Sequence, residues 1–190
     1  RQVPLLLLST PDMCPLFPEG VFFPNLIDET QEMYKQCCCG YDTVRVCHHY
    51  SMHPALKDTA IFEAVKARHP DLVMDVLPCM SLKNTLAERA RYNIVFDHIQ
   101  GYYGLVSIEA MAQGIMVVNG AFLETLDKLE AFFGSFPRFL LANKENLEAI
   151  LCRLITVDIE SSTRDASAWF KKYWSGRKLI TRLVGMYERL

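Results

Sequence analysis

The sequence predicts an α/β protein, a doubly wound parallel sheet closed by a helical C-terminal tail. Three observations predict it. From Thr43 onward the strand-like segments are continuous apolar runs, not alternating ones, as expected when helices cover both faces of a parallel sheet. Strand-like and helix-like segments alternate five times. The helices also carry local start and stop signals, such as Ser81 ahead of one and Gly134 behind another.

Residues 1–42 read differently from the rest. Residues 3–8 form a short apolar run that ends in Ser-Thr-Pro-Asp, a turn or helix-start signal. Pro11, Pro15, Pro18 and Pro24 break up the next segment, with a short strand over 21–23, and residues 28–42 read as a linker. The α/β domain is expected over 43–160. Its strands fall at 43–48, 71–77, 93–99, 115–118 and 139–142. Its helices fall at 57–68, from Ser81 on (with Leu82, Leu86 and Ala90 on one face), 107–113, 123–133 and from Asn143 to about 155. Residues 161–190 contain no strand signal; they are aromatic and amphipathic and read as two helices broken near Ser175-Gly176, packing back on the sheet or on a partner domain.

A length of 190 residues suits one domain with some extra chain. With 51% hydrophobic and 22% charged residues, the composition is that of a globular protein with a filled core. The net charge of -2 argues against a nucleic-acid surface. No apolar run is long enough for a spanning helix, and the run 5–8 is too short for a signal-peptide core. The chain begins at Arg1, which reads as a fragment or a processed chain. Its seven cysteines include no C-x-x-C pair, which fits reduced thiols in a cytoplasmic protein better than a disulfide framework. Cys37, Cys38 and Cys39, with His48 and His49 nearby, suggest a metal. Adjacent residues of an extended run point to opposite sides, however, so no metal site is expected.

In a doubly wound sheet, ligands bind outside the carboxyl ends of the strands. The segment GYYGLVSIEAMAQGIMVVN, residues 101–119, places a glycine-bearing loop and a helix start there. Orphan N–H groups at such a start carry partial positive charge and suit a pyrophosphate, and Gly101 and Gly104 let the backbone approach it. Glu109, five residues past Gly104, is placed to accept the hydroxyls of a ribose. The same pattern also fits plain turn glycines and a solvated helix acid. Residues His48, His49, Ser51, His53 and Lys57 face the same crevice. They read either as a basic rim for a diphosphate or as a solvated helix start with incidental histidines.

GYYGLVSIEAMAQGIMVV resembles the donor-sugar motif of the retaining, family-four-like GT-B glycosyltransferases, G-x-G-L-x-x-x-E-A-M-A-x-G-x-P-V-V. STPDM followed by FFPNLID is similar to the family's linker, and LVGMYERL at 183–190 to its closing helix. The resemblance implies the Rossmann-like C-terminal, donor-binding domain of such an enzyme, with residues 1–42 as the remnant of the N-terminal acceptor domain and linker. It also implies transfer of a sugar from a nucleoside diphosphate sugar to a hydroxyl acceptor in surface polysaccharide or glycan synthesis.

In that reading Glu109 binds the ribose. The amides of Gly104 and Leu105 hold the diphosphate, and Lys57 neutralises it with His53 in place of the usual arginine. Asp97, Gln100, Gly101 and Tyr102 are the candidate sugar contacts. The donor is the only small-molecule partner; no cofactor or metal is expected, and peripheral membrane association would come through the full-length protein.

Two positions depart from the pattern. Gly101 stands where the family usually has a second Glu, and Met116 replaces the proline before the last strand. With the acceptor domain largely absent, the fragment is expected to bind nucleotide sugar and to turn over little alone. The competing readings are a non-catalytic nucleotide-binding or interaction module, favoured by the missing acid at 101, and a sugar-nucleotide epimerase of the same shape.

Overall fold

The structure, a computed structural model, describes residues 5–34, 40–51 and 57–189. A two-stranded parallel sheet comes first, with β1 (Leu7–Leu8) paired to β2 (Val21–Phe22). Then follow β3 (Arg45–His49), α1 (Thr59–Arg68), β4 (Val73–Leu77), α2 (Leu82–Arg89), β5 (Ile94–Phe96), α3 (Leu105–Ala112), β6 (Met116–Asn119), α4 (Leu123–Phe133), β7 (Phe139–Leu141) and α5 (Leu147–Arg153). The tail comprises α6 (Ile159–Trp169), a π-helical turn (Phe170–Trp174) and α7 (Gly176–Tyr187).

The five central strands are all parallel, in the order β4-β3-β5-β6-β7. The chain steps from β3 to one neighbour, β4, and then crosses to the other side, so the winding direction reverses between β3 and β5. Both faces of the sheet are buried, which is why the strands lack alternation. Val46, Ile94, Phe96, Met116 and Val118 face one core with Phe62 and Val65 of α1 and Leu147 and Leu151 of α5. Cys47, Val95 and Val117 face the other, with Ile108 and Met111 of α3, Leu129 of α4, and Trp169, Phe170 and Trp174 of the tail.

The helix signals act through named bonds. The Ser81 hydroxyl accepts from Asn84 N at 3.5 Å at the start of α2, and Asp158 accepts from Ser161 N at 2.9 Å at the start of α6. Gly134 ends α4 at φ 72°, a conformation that favours glycine. Leu82 is one correction. Expected on the inner face of α2, it is 51% exposed, while Leu86 is sealed. Asn143 caps a turn, not the helix itself: its carboxamide oxygen accepts from Glu145 N and Asn146 N, and α5 proper begins at Leu147.

The tail is stitched to residues 25–29. Trp174 Nε1 donates to Asn25 O at 3.0 Å and Gly176 N donates to Glu29 Oε2 at 2.9 Å. A side chain at 176 would collide with the Ile27 carbonyl, so that approach requires glycine. Trp174 also lies 4.7 Å from Phe133 and meets Tyr103 edge-on at 5.5 Å, joining tail, α4 and the loop before α3.

Candidate functional site

The winding reverses between β3 and β5, and outside the carboxyl ends of strands at such a reversal open parallel sheets take ligands. His49 ends β3 and Asp97 directly follows β5. Asp97 is 1% exposed and both of its oxygens are used. Oδ1 accepts from Lys57 Nζ at 2.6 Å; Oδ2 accepts from Gly104 N and from the Ser107 hydroxyl, each at 2.8 Å. The carboxylate therefore caps the N-terminus of α3, where an anion is favoured. Burial works to raise its pKa, but the charge of Lys57, then that of His98, then hydrogen bonds from Lys57 and Ser107 outweigh it and bring it down to about 2.

Gly104 is glycine for this contact. A Cβ there would lie 2.7 Å from Asp97 Oδ2 and 3.0 Å from Lys57 Nζ. Lys57 is accordingly not a free point charge, although its side chain remains 24% exposed and one bond to Asp97 leaves two ammonium donors. Its neighbour Asp58 ties the next loop down, accepting from Ile99 N at 2.8 Å and from Gln100 Nε2 at 2.6 Å.

Asp97, expected among the sugar contacts, is thus corrected to a buried cap that holds Lys57. The other three expected contacts stand together on one cleft of about 380 Å³ lined by Gln100, Gly101, Tyr102, Phe122, Pro11 and Asp12. Gly101 has φ 91°, and a Cβ there would run into the Phe122 ring. Its carbonyl accepts from Phe122 N and from the Thr125 hydroxyl, each at 2.9 Å. The position where the resemblance expects an acid is therefore closed to any side chain unless backbone and ring both move.

Glu109 sits one to two turns along α3, apart from the Lys57 group. Arg89, at the end of α2 and 0% exposed, donates from Nη1 and Nη2 to Glu109 Oε2, both at 3.1 Å. Its Nε donates to Gln113 Oε1 at 2.7 Å, and Gln113 Nε2 donates in turn to Leu86 O at 2.8 Å. The acid is therefore neither a solvated helix residue nor an unpaired one.

His48 and His49 do not form part of a basic rim. His48 is sealed; its ring nitrogens meet Phe96 O at 3.0 Å and the Thr59 hydroxyl at 2.9 Å, and burial lowers its pKa. His49 is brought down to about 3, by burial first and the Arg89 charge second. Both are uncharged at neutral pH, which corrects the expectation of cationic side chains here. Among the described residues His49 Nε2 and His98 Nε2 have no hydrogen-bond partner, and His98 Nε2 lies 3.8 Å from Asp97 Oδ1. His53 and Cys37, Cys38 and Cys39 lie outside the described residues. Among the described residues no group of three or more metal-ligating side chains comes together, and no helix is long and apolar enough to cross a membrane.

Sequence reasoning missed Arg89, Asp58 and Ser107. One signal was available for Arg89. It follows the buried Leu86 by three residues, so it shares the inward face of α2, and a charge there requires a partner.

No known family profile matches this sequence, and no curated protein is recognisably similar to it. Solved structures are similar in fold. Anabaena Alr3699/HepE in complex with UDP-glucose superposes with a TM-score of 0.70 at 14% identity, covering 100% of this chain and 65% of that one. An S. aureus TarM variant in complex with fondaparinux, alpha-GlcNAc-glycerol and UDP superposes at 0.68 and 14% identity, covering 96% of this chain and 43% of that one. The pneumococcal O-GlcNAc transferase GtfA, in complex with UDP and GlcNAc, gives 0.58 at 11% identity over 98% of this chain and 45% of its own. This chain therefore has a Rossmann-like glycosyltransferase fold and spans about two fifths to two thirds of the length of these structures.

Proposed function

We propose that this chain is the donor-binding half of a retaining, family-four-like GT-B glycosyltransferase. In this reading it binds a nucleoside diphosphate sugar, and the whole protein transfers the sugar, of hexosyl type, to a hydroxyl acceptor. One observation carries the reading: at the winding reversal, Asp97 holds Lys57 at the glycine-led start of α3, with the lysine side chain 24% exposed and two ammonium donors left over. The uridine nucleotides bound in the HepE, TarM and GtfA structures make UDP and UDP-glucose the first ligands to try.

Breaking the bond between sugar and diphosphate leaves negative charge on the departing phosphate. The two remaining Lys57 donors would stabilise that charge, the α3 N-terminus being already capped by Asp97. Gly104 N, expected to take a phosphate oxygen, is spent on Asp97, so that contact falls to Leu105 N, and Glu109 takes the ribose hydroxyls. Gln100, Gly101 and Tyr102 border the sugar. Acceptor and turnover belong to the longer two-domain enzyme, which we place in surface polysaccharide or glycan synthesis at the cytoplasmic face of the membrane.

Calorimetry with UDP, UDP-glucose and uridine tests this. Lys57→Ala should weaken UDP about tenfold, the worth of one charged hydrogen bond, and leave uridine almost unchanged. Equal losses for UDP and uridine, or none, would reject the phosphate assignment. A second reading, a nucleotide-binding module without chemistry, is favoured by Gly101, whose φ of 91° keeps an acid from its place. Donor hydrolysis or transfer by the full-length protein would exclude that reading.

A further inference from the structure

We propose that Arg89 is a positioning residue for the ribose: it anchors Glu109 by one carboxylate oxygen so that the other is presented to the ligand. This rests on the reading of Glu109 as the ribose acid.

Arg89 is completely buried, and taking a guanidinium out of water is costly unless partners compensate it. Those partners come from a single helix. Glu109 and Gln113 are four residues apart, on one face of α3 and its C-cap, and both turn toward α2. The fork does not pair with the carboxylate in the usual two-oxygen way. Nη1 and Nη2 converge on Oε2 alone, each at 3.1 Å, while Nε is drawn to Gln113 at 2.7 Å. Gln113 is held in turn by the Leu86 carbonyl. Oε1 accepts no hydrogen bond from any described residue, and the Glu109 side chain keeps 11% of its surface exposed. One oxygen is fixed and the other is available.

The pairing also balances charge. A bare carboxylate beside a diphosphate would repel it; an acid already neutralised by a buried guanidinium can accept neutral hydroxyls without that penalty. A buried pair serving only stability would be a poor device, because apolar residues of similar size often do as well.

The test compares UDP with 2′-deoxy-UDP by calorimetry on the full chain, in wild type, Glu109→Gln, Arg89→Met, Arg89→Lys and the Arg89→Met/Glu109→Gln double variant. Wild type should prefer the ribonucleotide by about tenfold, the worth of a hydrogen bond to a charged group. Arg89→Met should erase that preference as fully as Glu109→Gln does, and the double variant should lose nothing more, the non-additivity expected of groups acting as a unit. Arg89→Lys, which keeps the charge but lacks the fork, should lose most of the preference while staying folded; it decides the matter if Arg89→Met does not fold. A ribose preference kept in the Arg89 variants, with only thermal stability lowered, overturns the positioning role. A wild type with no ribose preference instead rejects the reading of Glu109 itself.

Discussion

Two acid–base pairs meet α3, one at its start and one along it, turned opposite ways. At its N-terminus the acid is sealed and the cation faces out: Asp97 is 1% exposed and Lys57 24%. Farther along, the order of exposure is reversed: Arg89 is 0% exposed and Glu109 11%. Each pair is neutral, so each can be held in a low-dielectric interior. The more exposed partner of each pair differs in sign. A lysine at a helix start suits phosphate oxygens, and a carboxylate suits hydroxyls. Under the proposed function, Lys57 at the start of α3 and Glu109 within it would supply these two contacts without placing a net charge in the core.

The contrast has consequences that can be measured, beginning with the largest. Glu109→Ala strands a sealed guanidinium and should destabilise the protein by about 3–5 kcal/mol in urea unfolding. A loss under about 1 kcal/mol, the value of a surface pair, would mean that Arg89 is not sealed. Asp97→Ala removes three accepted hydrogen bonds but leaves Lys57 free to reach water, so it should cost less, about 2–3 kcal/mol. Reversal of that order would break the comparison.

Acid titration sharpens it further. The Asp97 pKa is lowered in the folded state, so its stabilisation is present above the ordinary carboxylate value and is lost as pH falls from about 4 to about 2. Glu148, paired with Arg68 and His69, titrates in the same window. The difference between wild type and Asp97→Asn therefore isolates Asp97: wild type should lose about 2 kcal/mol more across the window. A parallel pair of curves would refute it. Gly104→Ala should cost about 1–3 kcal/mol by crowding Asp97 and Lys57. The smallest effect is Arg91→Ala, which breaks a solvent-facing pair with Glu88 and should leave the urea midpoint unchanged.

Much of the scaffold could be read from residue order because local and global preferences agree there. The runs around Val46, Val95 and Val117 lack alternation because both faces are covered. Gly134 marks the end of α4 because little else tolerates its backbone angle. The short pairing of β1 with β2 was only half visible: each strand is two residues, too short for a periodic signal. The site was less legible. Its glycines and Glu109 stood out by spacing, yet spacing does not say which way a side chain turns. Asp97 beside a glycine loop reads as an exposed polar residue; a lysine forty residues earlier and a hydroxyl ten residues later draw it inward. Arg89 carries a charge that ordinarily faces water, and only the positions of Glu109 and Gln113 on a different helix make its burial tolerable.

The seam between Trp174, Gly176 and residues 25–29 bears on where this protein can be shortened. Composition suggests trimming the molecule at Thr43, where regular strand–helix repetition begins. Such a cut would leave an indole N–H and a helix-leading amide without acceptors and uncover the aromatic cluster beneath them. The smallest version able to stand alone must therefore retain Asn25 onward, and its two extremities behave as one piece of masonry even though the chain visits them first and last.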